Sequence, residues 1–363
     1  MSSIDIPSGP YSHSGASIPR TMGLVLVALL PSTIFGFVVF GWPAIFLFLT
    51  TVLTAMAAEA LSLKMSGKPI APFLFDGSGI LTGWLLAMTL PPWSPWWIGA
   101  VGSVVAIMLA KHAFGGLGQN VFNPAMVART VLLISFPIQM TQFLGPQPIF
   151  GADAPGLLQG LGITFGGHPE IDALTSASLL GSIKTQLGQG EVLQQILSRE
   201  FDLKSMAIGL APGSMGETSA LLALVGGLFL LVTRVISWHI PVAMAGAMIV
   251  LSGLFHAMDP GQYASPLVHL VSGTFVFAAF FIATDYVTAP GTPVGKLIFG
   301  AGVGTLTFVI RSWAAYPEGV AFAILLMNST VPLIDTYIKP RIYGRTRKGD
   351  PIQYKDAEQG DAG

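Results

Sequence analysis

The sequence contains no cysteine among its 363 residues. It can therefore form no disulfide, no thiolate-bound zinc site, no iron–sulfur cluster and no haem with a cysteine ligand. Charge is also scarce, because only 10% of the residues are Asp, Glu, Lys or Arg, whereas a soluble domain usually carries about 25%. So few charges cannot cover a water-facing surface, and the 52% hydrophobic content predicts that lipid is the main solvent. The formal net charge of −1 gives no overall attraction to nucleic acid.

Long apolar stretches alternate with short polar connections along most of the chain. About 20 apolar residues cross a bilayer as a helix, and on this basis the sequence predicts ten transmembrane spans. Five precede a polar segment and five follow it, so the predicted fold class is an all-α integral membrane protein of two five-helix halves with a small extracytoplasmic insert. The predicted spans are 21–40, 43–63, 78–91, 95–112, 122–139, 218–237, 239–257, 266–284, 294–312 and 318–338.

The third predicted span of each half is short or interrupted. Residues 78–91 begin within the sequence DGSG at 76–79, and residues 266–284 run into TDYVTAPG at 284–291. Interrupted spans at corresponding positions are typical of inverted repeats that place a binding site near the middle of the membrane. The sequence therefore predicts that the two halves are inverted repeats.

The distribution of Lys and Arg predicts the orientation in the membrane. If the N-terminus is cytoplasmic, 13 of the 17 basic residues lie at the cytoplasmic side, as the positive-inside rule requires. Both termini are then cytoplasmic and the polar segment lies outside. The predicted organisation is an N-terminal segment 1–20, a first membrane half 21–139, an extracytoplasmic segment 140–217, a second membrane half 218–338 and a cytoplasmic tail 339–363.

The polar segment contains the sequence DALTSAS, in which Asp172, Thr175 and Ser178 follow one another at intervals of three residues. The small residues Ser176 and Ala177 predict a sterically open hydroxyl on Ser178, accessible to a modifying enzyme. This pattern resembles the motif Asp-x-x-Ser/Thr-x-Ala-Ser/Thr, on which a flavin transferase esterifies the last hydroxyl with FMN. The structural alternative is that Asp172 caps a short helix with Thr175 in its first turn.

Two further sequences lie at predicted membrane surfaces. KHAFGGLGQNVFNPA at 111–125 contains Asn120 and Asn123; it can be a glycine-rich loop capped by Asn120, or it can hold a planar polar ring with its amides. Asp285 ends an apolar span, where an ionisable residue indicates function, although a loop-starting Asp is the structural alternative. Glu59, Arg129 and Asp335 are the other candidate embedded polar groups, and each can equally be a paired or interfacial charge.

Together these motifs resemble a family of membrane proteins shared by two complexes. They are the NqrB component of the Na⁺-translocating NADH:quinone oxidoreductase and the RnfD component of the Rnf electron-transport complex. The resemblance covers nearly the whole chain and is closer to RnfD, because the first span follows a short N-terminal segment. It implies FMN in phosphoester linkage to Ser178, where most relatives have Thr, with Thr175 as the alternative acceptor beside Asp172. It also implies a non-covalent riboflavin, which we assign to Asn120, Asn123 and Asp285.

The resemblance further implies the function. The chain would be one component, inactive alone, of a translocase that passes electrons between ferredoxin and NAD through its flavins and couples this to Na⁺ or H⁺ transport. Its partners would be the other membrane and peripheral subunits, the bilayer of a bacterial inner membrane and, for maturation, the flavin transferase. The alternatives are the NqrB component of the Na⁺-translocating NADH:quinone oxidoreductase, a ten-helix transporter or channel for a small solute, and a passive scaffold. Six histidines leave a bis-His haem open, but flavins fit better, because no two histidines lie at matched depth within the spans.

Overall fold

The computed structural model describes residues 17–151, 154–166, 175–176, 178–217, 219–314, 316, 318–340 and 344. Within these ranges nearly all regular structure is helical, and each of the ten predicted spans overlaps a helix. Six helical segments are long and apolar enough to cross a membrane, and shorter apolar helices accompany them. The predicted fold class, an all-α multi-pass membrane protein, is confirmed.

The first helix, α1 (Ile18–Met65), contains the first two predicted spans. Its 48 residues would measure about 72 Å if straight, more than twice the thickness of the hydrocarbon core of a bilayer. Gly41 interrupts the helix with φ 71° and ψ −158°, a conformation that favours glycine. Met22, near the start of α1, and Glu59, near its end, both lie beside the DGSG sequence. The chain therefore reverses at Gly41, and the predicted loop between the two spans is a sharp kink.

The rest of the first half consists of shorter helices. The third span is divided at residues 75–77, and the fourth continues beyond its α-helix as a π-helical turn, Val105–Leu109, and a 3₁₀ turn, His112–Phe114. The fifth α-helix has only 12 residues, because Asn123 caps its start and Pro137 begins a new helix after its end. The helices are α2 (Ile70–Leu74), α3 (Ser78–Thr89), α4 (Trp96–Val104), α5 (Pro124–Ser135) and α6 (Pro137–Thr141).

The insert between the halves combines short helices with one small strand pair. β1 (Phe143–Leu144) pairs antiparallel with β2 (Thr175–Ser176). Between and after the strands lie α7 (Leu157–Leu161), α8 (Leu179–Gly188), α9 (Leu193–Glu200) and α10 (Leu203–Ile208). Apolar residues of α8, α9 and α10 pack together and against Ala264 and Val268 of the second half. These three helices are thereby anchored to one side of the membrane part.

The second half repeats the pattern of a divided third span. This span is broken at residues 272–274 and continues as a π-helical turn, Ala278–Ile282. The first helix of the second half ends after 13 residues at a turn that contains Arg234, the only non-glycine residue with positive φ among those described. The helices are α11 (Ala220–Val232), α12 (His239–Met258), α13 (Pro266–Val271), α14 (Phe275–Phe277), α15 (Pro293–Trp313) and α16 (Val320–Tyr337).

Glycines allow the helices of this half to approach closely. Gly300 and Gly304 lie four residues apart on one face of α15, directly against the backbone of α12. A Cβ atom on Gly300 would lie 2.6 Å from the carbonyl oxygen of Ile240. Small residues at this spacing are typical of helix contacts in membranes, where packing rather than water exclusion drives association.

The two divided spans are broken at opposite faces of the protein. We call the face at which α1 begins the N-terminal face and the face that carries α8, α9 and α10 the insert face. The break at 75–77 lies at the N-terminal face and the break at 272–274 at the insert face, and each contains a glycine with positive φ, Gly77 (87°) and Gly273 (71°). This arrangement, in which corresponding breaks face opposite ways, is what an inverted repeat produces.

Each break is bound by an acid and by a cation. At each break, a carboxylate oxygen accepts a hydrogen bond from a backbone N–H group at the start of the following helix. The partial positive charge of a helix start stabilises a carboxylate there. A basic side chain near the end of the fourth span of each half then bonds to the same break. The contacts are Asp76 Oδ1 with Ser78 N (2.7 Å), Glu318 Oε1 with Thr274 N (2.7 Å), Lys111 Nζ with Ser78 Oγ (2.8 Å) and Arg311 NH2 with Ser272 O (3.1 Å).

Candidate functional site

A cleft opens between the two halves at the N-terminal face. It encloses about 780 Å³ of space free of protein atoms, including its mouth. Its walls come from α1, α3, α11, the loop before α5 and the loop after the π-helical turn of the second half. Asn120, Asn123 and Asp285 all line this cleft, so the structure brings together the three residues that the sequence assigned to one site. Lys111 and Ser78 add further polar groups to walls that also carry apolar side chains.

Asn120 and Asn123 also support the loop that carries them. Asn123 is the N-cap of α5, because its Oδ1 accepts a hydrogen bond from Met126 N at 3.2 Å. Asn120 Nδ2 donates to Phe122 O at 3.1 Å. The capping role predicted for Asn120 therefore belongs to Asn123. The side-chain nitrogen of Asn123 remains a potential donor toward the cleft.

Asp285 lies just beyond the π-helical turn, at the start of a loop. Its carboxylate accepts hydrogen bonds from Val287 N (3.3 Å) and Thr288 Oγ1 (3.1 Å). Burial raises the pKa of this carboxyl above its usual value. Asp285 therefore both starts the loop and lines the cleft. Asp335, by contrast, only accepts a hydrogen bond from Gly291 N at 3.2 Å in that loop.

Asn328 joins the two loops of the cleft, although no sequence motif pointed to it. Its Oδ1 accepts a hydrogen bond from Asn123 N at 3.2 Å, and its Nδ2 donates to Thr288 O at 3.0 Å. Asn328 is buried in α16, within an otherwise apolar run. A single amide in such a run must find polar partners, and that signal could have identified it.

Glu59, Lys111 and His112 form a buried ionic cluster at the wall of the cleft. Lys111 Nζ lies 2.9 Å from both carboxylate oxygens of Glu59, and His112 Nε2 lies 2.9 Å from Oε1. The Lys111 side chain is only 2% exposed. Glu59 is therefore a paired charge, which was the structural alternative for this residue.

Ser178 lies at the insert face, as the N-cap of α8. Its Oγ accepts a hydrogen bond from Gly181 N at 3.4 Å. The residue is only 7% exposed, so the expectation of a sterically open hydroxyl is wrong for the folded state. Thr175 pairs through its backbone with Leu144, and Asp172 lies outside the described residues. Thr175 lies in strand β2, so the first helical turn that the structural alternative assigned to it is not formed.

Ser178 borders a small cavity beside a second buried ionic cluster. The cavity, of about 350 Å³ when the space at its open mouth is included, is also lined by Glu217 and by the break at 272–273. At the break, Glu318 Oε2 lies 2.7 Å from Arg129 NH2, so Arg129 is a paired charge. No motif predicted Glu217, Glu318 or the structural role of Arg311. Glu217 directly precedes the sixth predicted span and Glu318 is the first residue of the tenth, and these positions were the available signal.

Comparisons with known proteins show which family the sequence matches. The sequence model of the NQR2, RnfD, RnfE family matches residues 5–344. A protein of Halorhodospira halophila is 47% identical over 348 residues, which are 96% of this chain and 98% of the relative. A protein of Stutzerimonas stutzeri is 50% identical over 337 residues (93% and 95%), and one of Rhodobacter capsulatus is 52% identical over 303 residues (84% of each). All three relatives are named as the D component of an ion-translocating oxidoreductase complex.

Proposed function

The chain belongs to the NQR2, RnfD, RnfE family, and on that premise we propose that it is the RnfD component of an Rnf-type ion-translocating oxidoreductase complex. The observation that carries this proposal is the similarity over nearly the full length of relatives that are named as this component. The proposal includes partner subunits, electron transfer between ferredoxin and NAD, and coupled transport of Na⁺ or H⁺. It places the protein in a bacterial inner membrane with the N-terminal face toward the cytoplasm, which the distribution of basic residues supports.

The proposal includes FMN esterified to Ser178. The side chain fits this group, because it lies at the start of a ten-residue helix whose free backbone N–H groups favour a phosphate. It also borders a cavity that is continuous with the break in the eighth span. Since the hydroxyl is buried, the transferase must act before α8 packs against the second half, or while the start of α8 is displaced.

The proposal also includes riboflavin in the cleft of the N-terminal face. Apolar walls formed by residues such as Leu81, Phe280 and Phe281 suit the faces of a flat ring. Asn120 and Asn123 offer amides to the polar edge of that ring, and Asp285 and Lys111 place opposite charges at the walls. Bound flavins would supply the redox chemistry, while these residues position the ring and exclude water.

Ultraviolet-excited fluorescence of the denatured chain in a gel tests the covalent flavin. After co-expression with a flavin transferase, we expect fluorescence from the unmodified sequence and from Ser178→Thr, because both offer the same hydroxyl chemistry. Ser178→Ala should be dark, and Thr185→Ala, which removes an exposed hydroxyl of α8 outside the motif, is the matched control that should remain fluorescent. Fluorescence that persists in Ser178→Ala would place the flavin elsewhere. A dark unmodified chain would favour a solute transporter without a redox role.

A further inference from the structure

Glu217 lies in a turn that enters the membrane part from the insert face. Gly216 N donates a hydrogen bond to Met88 O at the end of α3, and the adjacent Ser214 and Met215 are fully buried. This turn therefore brings a carboxyl group from the insert to the junction of the two halves. The same carboxyl lines the cavity beside Ser178.

Glu217 has no cation of its own. Its Oε1 accepts a hydrogen bond from Ser214 Oγ at 3.0 Å, and no basic side chain of the described residues lies within 4.0 Å of its carboxylate. The two nearest cations are committed to other groups: Arg129 pairs with Glu318, and Arg311 donates to backbone carbonyls at the break.

The remaining titratable groups around this carboxyl do not compensate it. Glu318 faces Glu217 with a negative charge, and His269, behind Arg311, has an Nδ1 without a hydrogen-bond partner among the described residues. Arg129 favours the charged form from a distance, but no cation contacts the carboxylate, and a proton relieves the cost of desolvating that charge. Burial, reinforced by the negative charge of Glu318, raises the pKa of Glu217 to about 8.

We propose that Glu217 is a proton-exchange site of the cavity at the insert face. Its carboxyl group holds a proton at neutral pH and can release it to a basic atom bound beside Ser178. In that step the O–H bond of the carboxylic acid breaks and a bond from the proton to the basic atom forms. A hydronium ion from the solution at the insert face then returns a proton to the carboxylate and becomes water. The identity of the basic atom as part of a flavin rests on the proposed function, whereas the proton site itself does not.

Infrared difference spectroscopy of the protein without covalent flavin, expressed without a transferase and held in lipid nanodiscs, tests the proton site. We expect a carbonyl band of a protonated carboxylic acid that disappears with a midpoint near pH 8 and is absent in Glu217→Gln. Ser214→Ala removes a hydrogen bond that favours the carboxylate, so it should raise the midpoint. Glu318→Gln removes the neighbouring negative charge and should lower it.

Two outcomes would overturn the proposal. One is the absence of a titrating acid band near pH 8 in the unmodified protein, and the other is persistence of the band in Glu217→Gln. If Glu217→Gln does not fold, as judged by size-exclusion chromatography, the shifts in Ser214→Ala and Glu318→Gln decide instead. A covalent flavin that proves absent would defeat the proposed function while leaving the infrared result unaffected.

Discussion

Lys111→Met should strongly destabilise the protein. The substitution keeps the length and apolar stem of the side chain but removes the ammonium group, which contacts both oxygens of Glu59 at 2.9 Å and Ser78 Oγ at 2.8 Å. Glu59 is then left as a buried carboxylate with only His112 beside it. Removal of one partner of a buried ion pair typically costs about 3–5 kcal/mol, because the remaining charge stays desolvated.

The double variant separates the charge effect from simple loss of packing. In Glu59→Gln with Lys111→Met no buried charge is left uncompensated by the change, so we expect a loss of only about 1–2 kcal/mol, on the scale of one or two hydrogen bonds. The double variant should therefore be more stable than Lys111→Met alone. Unfolding in mixed micelles with increasing dodecyl sulfate, followed by the fluorescence of the seven tryptophans, measures both values.

Two results would refute the reasoning. If Lys111→Met costs less than about 1 kcal/mol, the pair behaves like an exposed salt bridge and the cluster is hydrated. If the double variant is as unstable as the single one, the loss comes from packing around the side chain rather than from an uncompensated carboxylate.

Two further predictions concern the cleft and the second break. Asn328→Leu leaves Asn123 N and Thr288 O without hydrogen-bond partners, at a cost of about 1–3 kcal/mol each, so the purified protein should retain less non-covalent flavin after gel filtration. Asn328→Asp keeps the acceptor for Asn123 N and should retain more flavin than Asn328→Leu. Equal retention in the two variants would contradict a positioning role for Asn328. Gly273→Ala places a side chain on a residue with a left-handed backbone conformation, directly against Glu318, and should lower the unfolding midpoint. Gly246→Ala, whose side chain would enter open space beside α12, should not lower it. Equal effects of the two variants would contradict backbone strain at the break.

The spans were predictable from the sequence because each leaves a direct signature in composition. An apolar run of about 20 residues has few structures available in lipid, and Gly or Pro at matching positions marked the divided third spans. The kink at Gly41 was not predictable in detail, because a glycine two residues before a proline fits a short loop equally well.

The residues of the cleft were predictable as polar groups at membrane surfaces, but their partners were not. The contact of Asn123 with Asn328 joins residues 205 positions apart, and only packing of the two halves creates it. Pairing also decided between the two interpretations of Glu59 and Arg129, since neither cation–carboxylate contact follows from local spacing. The burial of Ser178 likewise depends on helices that meet only in the folded insert.

The short α5 helix has an electrical consequence. Asn123, at its start, lines the cleft of the N-terminal face, and Arg129, six residues later, is bonded to the cluster of the insert face. The rise along the helix between these residues is about 9 Å, compared with about 30 Å for the hydrocarbon core. Where water fills both cavities, the transmembrane voltage falls mainly across this thin partition. The electrical free energy of a unit charge that crosses this partition would then change by nearly the full ~2.3 kcal/mol per 100 mV, over a displacement of only about 9 Å.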